Sequence, residues 1–181
     1  MKTGIKEKEM IQVKESEKLR YMTTAGIMAA LITLMTAYIC HVPVGVNGGY
    51  VHFGDSLIYL AAALLPTPYA LAAAAIGGGL ADLLTAPMWA PATIIIKMLI
   101  AFLFSSRRKK IITPRNILAC ILAYFVTGIG YFLAEYILFE SWSIFWVTMS
   151  ESLIQSGGSA VFFIVFGLAL DKANVKNRFF S

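Results

Sequence analysis

The chain has 181 residues, 59% of them hydrophobic, and a mean hydropathy of +0.74. Soluble domains carry roughly 45–50% apolar residues, and a single core of this size cannot hide the surplus, so a soluble globular protein is excluded and the excess must face a lipid bilayer. The net charge of +5 does not point to nucleic acid, because Lys and Arg gather in clusters between apolar runs, which is a membrane-topology pattern.

Residues 1–20 are rich in Lys and Glu and the first apolar run is long enough to span, so no cleavable signal peptide is expected. Crossing the hydrocarbon core takes roughly 20 apolar residues, and 21–40 meets that. A Gly- and Pro-containing loop, 41–52, follows. The run 53–65 is short for a span, so this second helix is either tilted or shielded by its neighbours, and Asp55 reads as its N-cap. Pro66 and Pro68 break the chain before a third helix, 69–85. Pro87 and Pro91 bracket a turn before the fourth, 92–104, and the runs 116–139 and 143–170 form the long fifth and sixth. No second domain and no internal repeat is visible. Two cysteines are too few for a disulfide framework, and Cys40 and Cys120 fall near opposite faces of the membrane.

The cations then set the topology. They lie in the amino-terminal segment from Lys2 to Arg20, in Arg107, Arg108, Lys109, Lys110 and Arg115 between helices four and five, and in Lys172, Lys176 and Arg178 at the carboxyl end. Six spans place all three clusters on one side, which the positive-inside rule makes cytoplasmic; five would split the tails. The expected architecture is an all-α membrane protein, a six-transmembrane-helix bundle over 21–170, with cytoplasmic tails 1–20 and 171–181.

An ionisable side chain at membrane depth needs a partner, a cavity or a role. Lys97, Glu135 and Glu151 qualify, with Asp82 near a helix end. At 1.5 Å of rise per residue, Lys97 lies about 9 Å, Glu151 about 12 Å and Glu135 about 6 Å from the outer ends of their helices. Each belongs to a polar stripe: Trp89, Thr93 and Lys97; Thr127, Tyr131 and Glu135; Thr148, Glu151, Gln155 and Ser159. Residues three and four apart share a helix face, so the stripes can enclose an outward-facing chamber that holds a polar, partly aromatic solute by charge-assisted hydrogen bonds and stacking. Lys97 can alternatively form a buried ion pair with Glu151 or Asp82 that fixes helix register. Trp142 and Trp146 sit where an interfacial aromatic belt is expected. Tyr50 and His52, on the outer loop, either close over a ligand or stay solvated.

Small residues recur four apart in Ala25-Gly26-Ile27-Met28-Ala29-Ala30 and from Ala74 to Gly78. Such faces let helix backbones approach closely in lipid. Within-protein packing is the expected use for the third helix; on the first, docking of another membrane subunit is equally open.

Three segments carry a family resemblance: Ala25-xxx-Ala29; Gly49-Tyr50-Val51-His52-Phe53-Gly54-Asp55; and Gly79-Leu80-Ala81-Asp82-Leu83-Leu84 followed by Ala90-Pro91-Ala92-Thr93-Ile94-Ile95-Ile96-Lys97. Together with the length and the six spans, the chain resembles the S components of energy-coupling factor (ECF) transporters, in the group with riboflavin-, pyrimidine- and pyridoxine-type members. The resemblance implies a multi-pass protein of a prokaryotic cell membrane that binds a vitamin or vitamin precursor from outside through helices four to six and the first loop. It implies docking through Ala25 and Ala29 on a transmembrane T component driven by two cytoplasmic ATPases. No cofactor is implied, and Met1-Lys2-Thr3 does not resemble the metal-binding amino terminus of the metal-specific relatives.

An intramembrane hydrolase is the first competing class. Both histidines, His41 and His52, fall in one loop, and neither His-Glu-x-x-His nor Gly-x-Ser-x-Gly occurs. No P-loop is present, so the chain must borrow energy if it pumps. A stand-alone secondary transporter or channel for a polar solute is the stronger rival, although such carriers usually show duplicated halves and interrupted helices.

Overall fold

A computed structural model describes residues 2–39, 42–43 and 50–179, with side chains described for 12–39 and 52–179. The first helix, α1 (Lys2–Ala37), starts well before its apolar part. The segment expected as a tail continues the helix: Glu15 and Lys18, and Glu17 and Arg20, stand three residues apart, a spacing that supports helix on a solvated face. After α1 a two-residue antiparallel pair, β1 (Val42–Pro43) and β2 (Tyr50–Val51), closes a small hairpin with Val42 opposite Val51. β2 lies against the sixth helix.

The second helix, α2 (Asp55–Leu64), has ten residues, and every one except Leu57 is buried. Its length is about 15 Å, half of a hydrocarbon core of about 30 Å. Of the two explanations for so short a helix, shielding is the one observed. α2 packs against α1, α3 (Thr67–Thr85), α4 (Ala90–Leu103) and α6 (Phe145–Lys172), so its backbone meets protein rather than lipid. Tyr59 anchors it, stacked on Phe104 at 4.7 Å between centroids and edge-on to Phe163 at 5.9 Å.

Pro66 and Pro68 start α3, and a short 3-10 turn, Pro87–Trp89, leads into α4. Glycines let α3 sit between α1 and α4. A Cβ on Gly77 would lie 2.7 Å from the Ile32 Cβ and 2.9 Å from the Ala29 carbonyl oxygen, and one on Gly78 would lie 2.9 Å from the Lys97 Cγ. The Thr33 hydroxyl donates to the Gly77 carbonyl at 3.0 Å across that contact. Ala29 is therefore buried against α3, and Ala25 belongs to the hydrophobic core. Both expected docking alanines pack inside the bundle, because the close approach that small residues permit is already used by α3. Gly26 and Ala30, one position further round the helix, are exposed.

α5 (Pro114–Phe139) opens on Thr113, whose hydroxyl accepts from the Asn116 N–H at 3.2 Å. It packs beside α4 and α6. The connection before it is held by side chains rather than secondary structure. Asn116 accepts from the Ser105 N–H at 3.0 Å and donates to the Ile111 carbonyl at 2.9 Å, while Asp171 accepts from the Ile111 and Ile112 N–H groups at 2.7 and 3.0 Å. Arg107 to Lys110 are exposed on this connection. A last short helix, α7 (Val175–Phe179), was not expected in the carboxyl-terminal segment; Lys176 on it donates to the Ala63 carbonyl at the end of α2, at 2.6 Å.

Four helical stretches are long and apolar enough to cross a membrane: Gln12–Ala37, Thr67–Thr85, Pro114–Phe139 and Phe145–Lys172. Two shorter apolar helices, Asp55–Leu64 and Pro87–Leu103, accompany them. Large apolar side chains such as Ile95, Phe102, Ile137 and Val161 point outward, as a lipid-facing surface requires. Trp142 and Trp146 are 68% and 76% exposed, a placement suited to an interfacial belt. Cys120 is a buried free thiol; Cys40 lies outside the described residues.

Candidate ligand-binding site

The site is built upward from one ion pair. Lys97, two turns into α4, points into the bundle, where its stem passes over Gly78. Its ammonium group lies 2.7 Å from Asp55 Oδ1, with the two side chains 1% and 0% exposed. Asp55 is the first residue of α2, and Gly54 takes the N-cap position without a side-chain cap bond. The expectation of Asp55 as a cap is thereby corrected: its carboxylate turns inward because an ammonium group in a dry bundle requires a counter-charge. Neither Glu151 nor Asp82 supplies the Lys97 salt bridge; Asp55 does. Gln155 on α6 donates to the other Asp55 oxygen at 3.0 Å. Three helices thus meet in one polar knot.

Above the knot the polar stripes converge. The Thr93 hydroxyl donates to Asp82 and lies 2.8 Å from the Tyr131 hydroxyl, joining α4 to α3 and α5. The Lys97 Nζ stands 5.4 Å from the centre of the Tyr131 ring. Thr148 on α6 donates to Glu135 on α5. The Trp89 and Tyr131 rings meet edge to face at 6.2 Å.

These groups surround a cavity with about 540 Å³ of empty space, counting its open mouth. Of the residues singled out from sequence, Asp82, Trp89, Tyr131, Glu135, Glu151, Gln155 and His52 line it. Lys97 and Thr93 do not reach the wall; they brace Asp55, Asp82 and Tyr131 from behind. The Tyr50 side chain lies outside the described residues. His52 is buried, and its Nδ1 accepts from the Gly54 N–H at 3.1 Å, which places the proton of the neutral ring on Nε2.

Thr127, Thr148 and Ser152 complete the wall. Thr127 and Thr148 belong to the stripes read from sequence, and Ser152 shares their signal, standing four residues after Thr148 and three before Gln155. Asp55 was missed as a site residue because its position, just before a short apolar run, is equally that of a cap. Chemically the arrangement offers carboxylates, an amide, hydroxyls and two aromatic faces around one opening. The described residues include no group of three or more His, Cys, Asp or Glu side chains placed to hold a metal ion.

No curated protein matches the chain. The family model described as ECF-type riboflavin transporter, S component, matches residues 16–172, which takes in α1 from Ser16 through α6 and every wall residue of the cavity. The chain belongs to that family of membrane-embedded, vitamin-uptake transporter subunits.

Proposed function

We propose that this chain captures a water-soluble vitamin or vitamin precursor at the outer face of a prokaryotic cell membrane and hands it to a transmembrane T component driven by two ATPase subunits. The observation that carries the reading is the cavity itself: a polar, aromatic-walled opening within an apolar bundle, on a chain of the S-component family. In the proposed topology the two shorter apolar helices join the four long ones as six crossings, with both termini cytoplasmic. The clustering of Lys and Arg supports that orientation. It puts the ends of α5 and the starts of α6, where Glu135 and Glu151 stand, at the outer side.

The T component docks, in this reading, on α1. Because Ala25 and Ala29 are buried, the small residues open to a partner are Gly26 and Ala30, and a Cβ on Gly26 would meet nothing within 4 Å. The test is uptake of labelled vitamins in cells producing this chain with and without the T component and ATPases. Uptake only with the full set is expected. Uptake by the chain alone would overturn the S-component mechanism in favour of a stand-alone carrier.

A further inference from the structure

The charge balance of the chamber narrows what it can hold. Lys97 is the sole Lys or Arg in residues 21–106, and residues 116–171 contain none; Asp55 takes the Lys97 charge in the polar knot. The wall itself carries Asp82, Glu135 and Glu151. Thr93 and Thr148 donate to Asp82 and Glu135, which hydrogen-bonds those carboxylates without adding positive charge. Glu151 makes no hydrogen bond or ion pair with a described residue. The outer loop cannot correct the balance, since residues 40–51 contain His41 but neither Lys nor Arg. Carboxylates therefore outnumber cations at the site even when the His52 imidazole on the wall is counted as one.

An acidic wall alone does not make a site, but two further groups on it point to an occupant. The Trp89 indole N–H and the Thr127 hydroxyl are both buried, line the same cavity and have no hydrogen-bond partner among the described residues. Buried polar groups are ordinarily hydrogen-bonded, so these two are placed to meet a ligand. The edge-to-face rings of Trp89 and Tyr131 add aromatic surface beside them, and a ring face attracts a cation.

We propose that the chamber selects a ring-bearing ligand with a protonated amine or quaternary nitrogen, set against Glu151 and Glu135, and rejects phosphorylated, anionic forms. The selection rests on the vitamin-capture reading and specifies its substrate class. A positive nitrogen supplies the counter-charge the fold withholds, whereas a phosphate would face three carboxylates, and like charges brought together in a dry site are strongly disfavoured.

The experiment uses the full chain in nanodiscs of neutral lipid at neutral pH, read by calorimetry and thermal stabilisation. The probes are thiamine and pyridoxamine as cations, pyridoxine and riboflavin as neutral compounds, and riboflavin 5′-phosphate as an anion. At least one cation should bind about tenfold or more tighter than either neutral compound, and the phosphate should not stabilise the protein. Glu151→Gln, at a side chain with no hydrogen-bond or ion-pair partner among the described residues to lose, should reduce the cation preference about tenfold with an unchanged ligand-free melting temperature. Glu135→Gln, which can still accept from Thr148, should act in the same direction. Riboflavin, pyridoxine or the phosphate binding as tightly as the cations overturns the charge selection and leaves vitamin capture standing. Stabilisation by none of the five overturns both.

Discussion

Replacing Lys97 by Met tests whether the polar knot is a coupled unit. Two unit charges 2.7 Å apart interact by about 6 kcal/mol at an effective dielectric constant of about 20. Desolvation offsets much of that attraction, yet removing one partner strands the other charge, and breaking a buried pair costs about 3–5 kcal/mol. Lys97→Met and Asp55→Asn should each lose stability in that range. The double variant leaves no stranded charge, and its Asn can still accept from Gln155, so it should recover all but about 1–2 kcal/mol. Unfolding in mixed micelles, followed by circular dichroism on all four proteins, gives the cycle directly. Additive losses in the double variant would show that the two residues act separately, and the account of Asp55 as counter-ion would fail. Ligand binding should fall in either single variant, because Asp55 holds the wall residue Gln155 and Lys97 stands over the ring of the wall residue Tyr131.

Three other outcomes follow from particular contacts. Trp89 lines the cavity while Trp142 and Trp146 are exposed outside it, so Trp89→Phe should abolish the ligand-dependent fluorescence change; its persistence would move the ligand elsewhere. Gly77→Leu should destabilise the protein by about 1–3 kcal/mol by prising α3 from α1, whereas Gly26→Leu should leave melting unchanged and reduce uptake, since its surroundings are open. Equal melting of the two variants would refute the assignment of faces on α1. Burial pushes Lys176 down to about 8 from 10.5, so between those values the unfolded chain holds a proton that the folded chain has shed. Stability should therefore rise as pH increases through that window, and Lys176→Met should flatten the rise; an unchanged pH profile in that variant would show that Lys176 is not its source.

Apolar runs, proline breaks and charge clusters are properties of consecutive residues, so the sequence alone determined the membrane setting and the apolar helices to within a few residues, but not the polar extension of α1 back to Lys2 or the short α7. Periodicity within single helices likewise picked out most of the cavity wall, since Thr127, Tyr131 and Glu135 share a face whatever surrounds them. What required the tertiary structure was every choice between partners on different helices. Lys97 had several carboxylates within plausible reach, and only the placement of a half-length helix in the middle of the bundle brings Asp55 to it. The alanines of α1 offered two adjacent small faces, and the glycines of α3 decided which one is covered. Local pattern tells which side of a helix is polar or small; what that side meets depends on contacts between residues far apart in the chain.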